Sequence, residues 1–248
     1  MKIYNRIIAT LCLFSLPFVA SAQIGEHRND MSIGFNSGYV LSNVGFVPKV
    51  TQGMHKGVTC GLSFRYTSEK YFKTICSIYA ELNYAQVGWE ENIVDMNEAP
   101  VINSFTGVAE KYKRTLSYVQ MPVMAHLAWG KEKNGVQFFV NAGPQFGYLL
   151  GESTTSNFTL DNYNANDRTN STVAQDTMSV EHKLDYGIAA GLGIEYSNKH
   201  VGHFIVDARY YYGLANMFGA SKRDYFAKSN LGNIVVKFTY LFDITRTK

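Results

Sequence analysis

The chain has 248 residues, 46% of them hydrophobic and 14% aromatic, with 23 basic and 20 acidic side chains for a formal net charge of +3. So small an imbalance gives no basic surface for nucleic acid or anionic lipid. Three cysteines, in no Cys/His spacing of a zinc site, define neither a disulfide scaffold nor a metal centre.

Residues 1–22 read as a secretory signal peptide. Lys2 and Arg6 make a positive start, Ile7 to Ala20 is mostly apolar, and Ala20-Ser21-Ala22 is a small-residue site for cleavage between Ala22 and Gln23. The apolar run is interrupted by Ser15 and Pro17 and falls short of the roughly 20 residues of a spanning helix. Leu11 before Cys12 does not suit lipid modification of that cysteine. Residues 23–248 then form a single domain carrying 21 basic and 20 acidic side chains.

Beyond the leader the pattern has period two, the signature of strands with two unlike faces. The first strand is predicted near 31–40 and the second near 56–67, where Val58, Cys60, Leu62, Phe64 and Tyr66 alternate with Thr59, Gly61, Ser63 and Arg65. The others follow near 74–88, 112–129, 136–150, 181–196, 203–216 and 230–242, so the strands occupy about 31–242. In 181–196 the sequence alternates Leu184, Tyr186, Ile188, Ala190, Leu192, Ile194 and Tyr196 with Asp185, Gly187, Ala189, Gly191, Gly193 and Glu195. In the last strand Ile234, Val236, Phe238, Tyr240 and Phe242 share one side, opposite Lys237 and Thr239.

The connections alternate in length. Those near 68–73, 130–135 and 197–202 are short, whereas 41–55, 89–111, 151–180 and 217–229 are long. The Ser, Thr, Asn and Asp content of 151–180 reads as a solvated, mobile loop, and 89–111 as a second extended loop. A turn centred near Glu69 to Tyr71 would keep Cys60 and Cys76 from facing each other, so no disulfide is expected.

This rhythm describes an all-β, eight-stranded antiparallel transmembrane β-barrel of up-and-down topology, with short periplasmic turns and long extracellular loops, in the cell outer membrane. A soluble calyx also alternates along each strand, but its solvated face needs Lys, Glu and Thr. Here the second face is Gly143, Gly147, Gly187, Ala189, Gly191 and Gly193, which suits a crowded lumen. With large side chains outward, Tyr66, Trp89, Trp129, Tyr148, Tyr196, Tyr210 and Tyr240 would form interfacial girdles.

Charged residues of both signs also fall on the small face: Arg65, Glu81, Glu195, Asp207, Arg209 and Lys237. Buried charges need partners, so a structural cluster of salt bridges filling the lumen is the expected arrangement, in preference to an ion pathway. His55, His126, His182 and His203 have no neighbouring nucleophile in a recognisable motif, so an enzyme is not expected, nor is a metal or other cofactor.

Several local patterns carry a resemblance. They are Ala80-Glu81-Leu82-Asn83-Tyr84 with Gly88, Tyr118-Val119-Gln120-Met121-Pro122, Ala142-Gly143-Pro144, Asp185-Tyr186-Gly187 through to Glu195-Tyr196, Ala208-Arg209-Tyr210 with Gly213-Leu214, and Tyr240-Leu241-Phe242. In order and spacing the chain resembles the PorT-like outer-membrane β-barrel domain family over about 31–242, which implies the same eight-stranded fold. Gln120 stands where the resemblance leads one to expect a glutamate, so it joins the lumen set with one negative charge fewer. Asp243 to Lys248 follow the closing Phe242, where a barrel's assembly signal usually ends on an aromatic residue.

The expected partners are outer-membrane lipid, the barrel-assembly machinery during insertion, and surface or secretion-machinery proteins. No nucleic acid is expected, and the barrel is read as monomeric. The expected role is structural or interactive through the long loops. A secretion component, as the resemblance implies, and a small ion-conducting channel are the alternatives.

Overall fold

The computed structural model describes residues 25–132, 134–159, 168, 174–219 and 225–246. The expected signal peptide and its cleavage site at Ala22 and Gln23 lie outside the described residues. Nine strands form one sheet: β1 (Glu26–Val47), β2 (Gln52–Gly53), β3 (His55–Tyr71), β4 (Thr74–Glu91), β5 (Tyr112–Gly130), β6 (Gly135–Ser156), β7 (Leu184–Asn198), β8 (Gly202–Gly213) and β9 (Lys228–Thr245). Each long strand pairs antiparallel with the next, and β9 closes on β1 through a ladder running from Met31↔Thr245 to Val47↔Lys228. The result is an eight-stranded barrel, with the two-residue β2 added on the end of β4. Closure gives every long strand two neighbours, the condition for a sheet to cross lipid. Among the described residues no helix is long and apolar enough to cross a membrane.

The two faces separate by parity. Phe35, Tyr39, Leu62, Leu82, Phe138, Ile188, Leu192, Val206, Val236 and Phe238 are exposed on the outside, a surface that only lipid makes favourable. Inward positions are small where a large neighbour needs the space. A Cβ on Gly193 would come within 2.5 Å of the Phe139 ring, and one on Gly187 within 2.8 Å of the Tyr211 ring. Pro122 and Pro144 supply no N–H to a ladder. The β4–β5 pairing accordingly skips from Ala80↔Val123 to Asn83↔Gln120, and β5–β6 from Pro122↔Gln145 to Ala125↔Ala142.

Strand pairing mostly runs further than the sequence pattern indicates, although β7 starts only at Leu184 and β8 ends at Gly213, inside the expected 181–196 and 203–216. The short connections contract to Phe72-Lys73, residues 131–134 and residues 199–201. The first turn is therefore centred beyond Glu69 to Tyr71, with Tyr71 paired to Thr74. Cys60 then faces Tyr84 and Cys76 faces Glu69, and both are free thiols. Strand β9 continues past Phe242 to Thr245, so part of the expected tail belongs to the wall.

At the long-loop end β4, β5 and β6 rise above the apolar belt. Their outer face changes there from Leu82, Tyr84 and Val119 to polar cross-strand pairs: Gln86↔Ser117, Gly88↔Thr115 and Glu90↔Lys113. This extension explains two corrections. Trp89 is fully buried on the inner face rather than part of an outer aromatic girdle, because the strand continues past the lipid and parity turns it inward. The reading of 151–180 as a solvated, mobile loop fails in part: residues 151–156 are exposed but extend β6, and Arg168 and Gln175 are buried.

Candidate functional site

The interior is built from inward positions of all eight long strands. At mid-lumen Glu81 on β4 is the centre. It accepts two hydrogen bonds of 2.9 Å from Arg209 Nη1 and Nη2, one of 2.5 Å from Lys237 Nζ and one of 2.8 Å from Asn83 Nδ2. Arg209 Nε also donates to Asp207, two residues away on the same face of β8. Two carboxylates therefore meet two cations, and Asn36 extends the network by donating to Ser63 and Asn83 at 2.8 Å each. The Arg209 guanidinium lies 5.5 Å from the centre of the Tyr79 ring, a further favourable contact for a desolvated cation.

A second cluster lies towards the short turns. Arg65 Nη1 donates to Glu195 at 2.6 Å, and the other oxygen of Glu195 is 2.6 Å from His203 Nδ1 and accepts from Ser197 at 3.0 Å. His203 Nε2 is 3.0 Å from Asp243, which accepts from Ser32 at 2.5 Å and from Arg246. A cavity of about 80 Å³ opens at this mouth, lined in part by Arg65, His126, Glu195, His203 and Asp243. His126 sits between the rings of Tyr79 and Phe139, at 5.8 and 4.4 Å.

The structure thus divides the seven lumen residues marked by the sequence. Glu81, Asp207, Arg209 and Lys237 come together, and Arg65 and Glu195 form the separate lower pair. Gln120 faces the lumen opposite Asn83, but its Nε2 has no hydrogen-bond partner, so it belongs to neither cluster. Sequence reasoning missed Asn36, Ser63, Asn83, His203 and Asp243. Strand parity alone places Asn36, Ser63 and Asn83 inside. Asp243 is hidden by its position after the closing aromatic residue.

Above the belt the lumen is closed by a different device. Phe46, Trp89, Phe218 and Phe226 form a buried aromatic group, with Phe46 at 5.4 Å from Trp89 edge-on and 4.8 Å from Phe226. Arg114 covers Trp89 at 5.5 Å and donates to the carbonyls of Gln175 and Met178 at 3.0 and 2.5 Å. These bonds tie the loop after β6 to the wall. Gln175 donates at 2.9 Å to Glu91 at the end of β4, beyond the lipid belt. Burial, and then the neighbouring Asp176, push the Glu91 carboxyl up to about 8; burial likewise raises Asp176 in its loop. Arg168 adds ion pairs to Glu110 at 2.8 Å and to Asp176 at 3.7 Å.

Chemically the lower interior is a hydrogen-bonded plug. An eight-stranded barrel has room for side chains and little else, and here the side chains are paired across it. Among the described residues no group of three or more His, Cys, Asp or Glu is arranged to hold a metal ion.

The family described as outer membrane protein beta-barrel domain matches residues 21–219. Among solved structures, the chain is similar to the outer membrane protein OprG from Pseudomonas aeruginosa, at 13% identity over 88% of this chain and 98% of that one, with a TM-score of 0.43. Neisserial surface protein A is similar at 10% identity over 86% and 97%, TM-score 0.41. Ail, the attachment invasion locus protein of Yersinia pestis, is similar at 14% identity over 88% and 99%, TM-score 0.35. No curated protein matches the chain.

Proposed function

Since this chain belongs to the outer membrane protein beta-barrel domain family, we propose that it is a closed, non-enzymatic barrel that presents its extracellular loops to partners while anchored in outer-membrane lipid. The observation that carries this reading is the double closure of the lumen. Glu81 with Arg209 and Lys237 blocks the middle, and Trp89 with Phe46, Phe218 and Phe226 blocks the outer end. Function then falls to the surface. The connection between β4 and β5 is held by bridges Val94↔Pro100 and Ile102↔Ala109, and it exposes Met96, Ile102, Phe105 and Val108 above the lipid. Ordered apolar side chains in water are a usual mark of a protein-contact surface.

The test is conductance together with capture. The refolded chain in planar bilayers should pass no steady current, whereas an open-channel signal that changes on Glu81→Gln or Arg209→Met would replace this reading with the small channel. Cross-linking on intact cells should recover surface proteins through residues 92–111, and Phe105→Ser should reduce that recovery. The alternative of a PorT-like secretion component rests on the motif resemblance around Glu81, Gln120 and Arg209. It predicts recovery of secretion proteins on the periplasmic side that Phe105→Ser leaves unchanged. Signal cleavage after Ala22, insertion by the barrel-assembly machinery and a monomeric state belong to the same proposal. Mass measurement of the membrane-extracted protein tests the first and last.

A further inference from the structure

Near-neutral overall charge conceals an uneven distribution at the periplasmic rim. Each of the three short turns carries an exposed lysine, Lys73, Lys131 and Lys199, whose ammonium makes no hydrogen bond or ion pair among the described residues. Most rim acids are already neutralised. Glu132 pairs with Lys70 at 2.8 Å and Arg28 at 3.4 Å, Glu195 pairs with Arg65, and Asp243 pairs with His203 and Arg246; Glu69 on β3 is left exposed. The surplus charge on the turns is therefore positive, and it lies where lipid headgroups end.

At one turn this charge meets a shaped surface. A groove of about 350 Å³ runs between the β7–β8 turn and the end of β9. Lys199, His200 and Val201 line one side, and Phe242, Ile244 and Arg246 the other. Asp243 also borders it, but its carboxylate is taken by Ser32, His203 and Arg246. Val201, Phe242 and Ile244 are exposed, and the last two continue the lipid-facing row of β9.

The walls are fixed before any ligand arrives. Lys199 N–H donates to Asn134 Oδ1 at 3.0 Å, and the His200 and Val201 N–H groups donate to Asn198 Oδ1 at 2.9 and 3.2 Å. Arg246 Nη1 donates to the Lys199 carbonyl at 3.0 Å, and Tyr240 OH to the Val201 carbonyl at 2.5 Å. The Lys199 ammonium and the His200 ring remain without a partner among the described residues, at the edge of an apolar belt. An anion joined to hydrocarbon fits both halves of that surface.

We propose that this groove binds the phosphodiester headgroup of an anionic glycerophospholipid of the inner leaflet, with Lys199 and His200 on the phosphate and Val201, Phe242 and Ile244 along the acyl chains. The assignment rests on the outer-membrane placement and turn orientation above, and is independent of what the loops bind.

The test uses the full chain refolded into vesicles of phosphatidylcholine and phosphatidylglycerol in equal amounts, with retained lipid counted by native mass spectrometry. Wild type should retain phosphatidylglycerol over phosphatidylcholine by about fivefold per basic contact, the usual worth of one lysine near an anionic surface. Lys199→Gln with His200→Gln should lower the ratio by about fivefold or more, Lys199→Arg should keep it, and inorganic phosphate should not displace the lipid. An even ratio in wild type, an unchanged ratio in the double variant, or displacement by phosphate alone would overturn the assignment. Gel mobility before and after boiling reports whether each variant has folded. If the double variant fails that check, high salt on wild type is the deciding measurement: salt screens this contact, and a preference that survives it overturns the proposal.

Discussion

Below the extracellular edge of the lipid belt the lumen is held by charges, with Glu81 and Asp207 against Arg209 and Lys237, then Arg65 against Glu195. Above that edge it is held by rings, Phe46, Trp89, Phe218 and Phe226, with polar ties only around their margin. The outer face accounts for the difference. Inside the belt lipid already takes most of the large apolar side chains, so the inward positions can hold polar groups that satisfy one another, packed beside rings such as Tyr79 and Phe139. Above the belt the outer face meets water, and the strands β4 to β6 can place their apolar residues inside, as in any soluble sheet. The barrel is thus inside-out in one part and ordinary in the other.

The largest expected effect breaks the charged half. Arg209→Ala leaves Glu81 and Asp207 buried with Lys237 as their only nearby cation, and removing one partner of a buried pair typically costs about 3–5 kcal/mol. Urea unfolding of the chain in vesicles should show that loss, whereas Glu81→Gln combined with Arg209→Met should recover much of it. Equal losses in the single and double variants would mean that packing, and not charge pairing, holds this part of the lumen.

Trp89→Ala tests the other half. Truncating a buried Trp typically costs about 3–5 kcal/mol, but here the loss should stay local, because the ring's partners are loops and strand ends above the lipid. Trypsin should cut faster at Lys111 and Lys113, while the gel mobility of the unboiled barrel stays at the wild-type position. A barrel that lost its compact mobility would show that cap and wall unfold together.

Much of the barrel was legible because lipid enforces parity over a fixed span, and Leu184 to Tyr196 displays it without interruption. The charges of the lumen were legible for the same reason, since Glu81 or Arg209 on a wall of small residues has nowhere to go but inward. The cap was not. At Trp89 the strand continues while its solvent changes from lipid to water, so an aromatic residue near a strand end reads as a girdle when it is a core. Arg168 and Gln175 sit in a segment of polar composition, and their burial depends on contacts with the distant Glu110 and Glu91 that no local pattern encodes. Asp243 and His203 were obscured in a similar way: each lies next to a turn or tail, where sequence suggests solvent and the strand register supplies a lumen.

Acidity should loosen or tighten the two halves differently. The Glu91 carboxyl, outside the membrane, is held neutral by burial and by Asp176, with its folded value raised to about 8 from an ordinary 4.5. A raised carboxyl favours the folded cap fully below the ordinary value, and that contribution is lost as pH climbs through about 8. The protection of amides 174–178, their exchange relative to the intrinsic rate at each pH, should therefore be high at pH 5 and low above pH 8, and Glu91→Gln should remove most of that change. Constant protection across the range would show that Gln175 and Arg114, rather than a proton, hold the loop.

The smallest effect should come from the periplasmic rim. Lys70 and Glu132 pair at 2.8 Å, but both side chains are partly open to solvent, at 28% and 23% of full exposure. Pairs of this kind contribute about 0–1 kcal/mol, because water already screens them and ordering two long side chains costs entropy. Lys70→Ala should thus leave the urea midpoint almost unchanged, at the same pH and salt where Arg209→Ala lowers it strongly. The two substitutions each remove one cation from a carboxylate at nearly the same distance, 2.8 and 2.9 Å. Arg209 donates three hydrogen bonds in a buried site, whereas Glu132 keeps Arg28 as a second, partly hydrated cation, so the two losses should differ widely; similar losses would mean that water reaches Glu81.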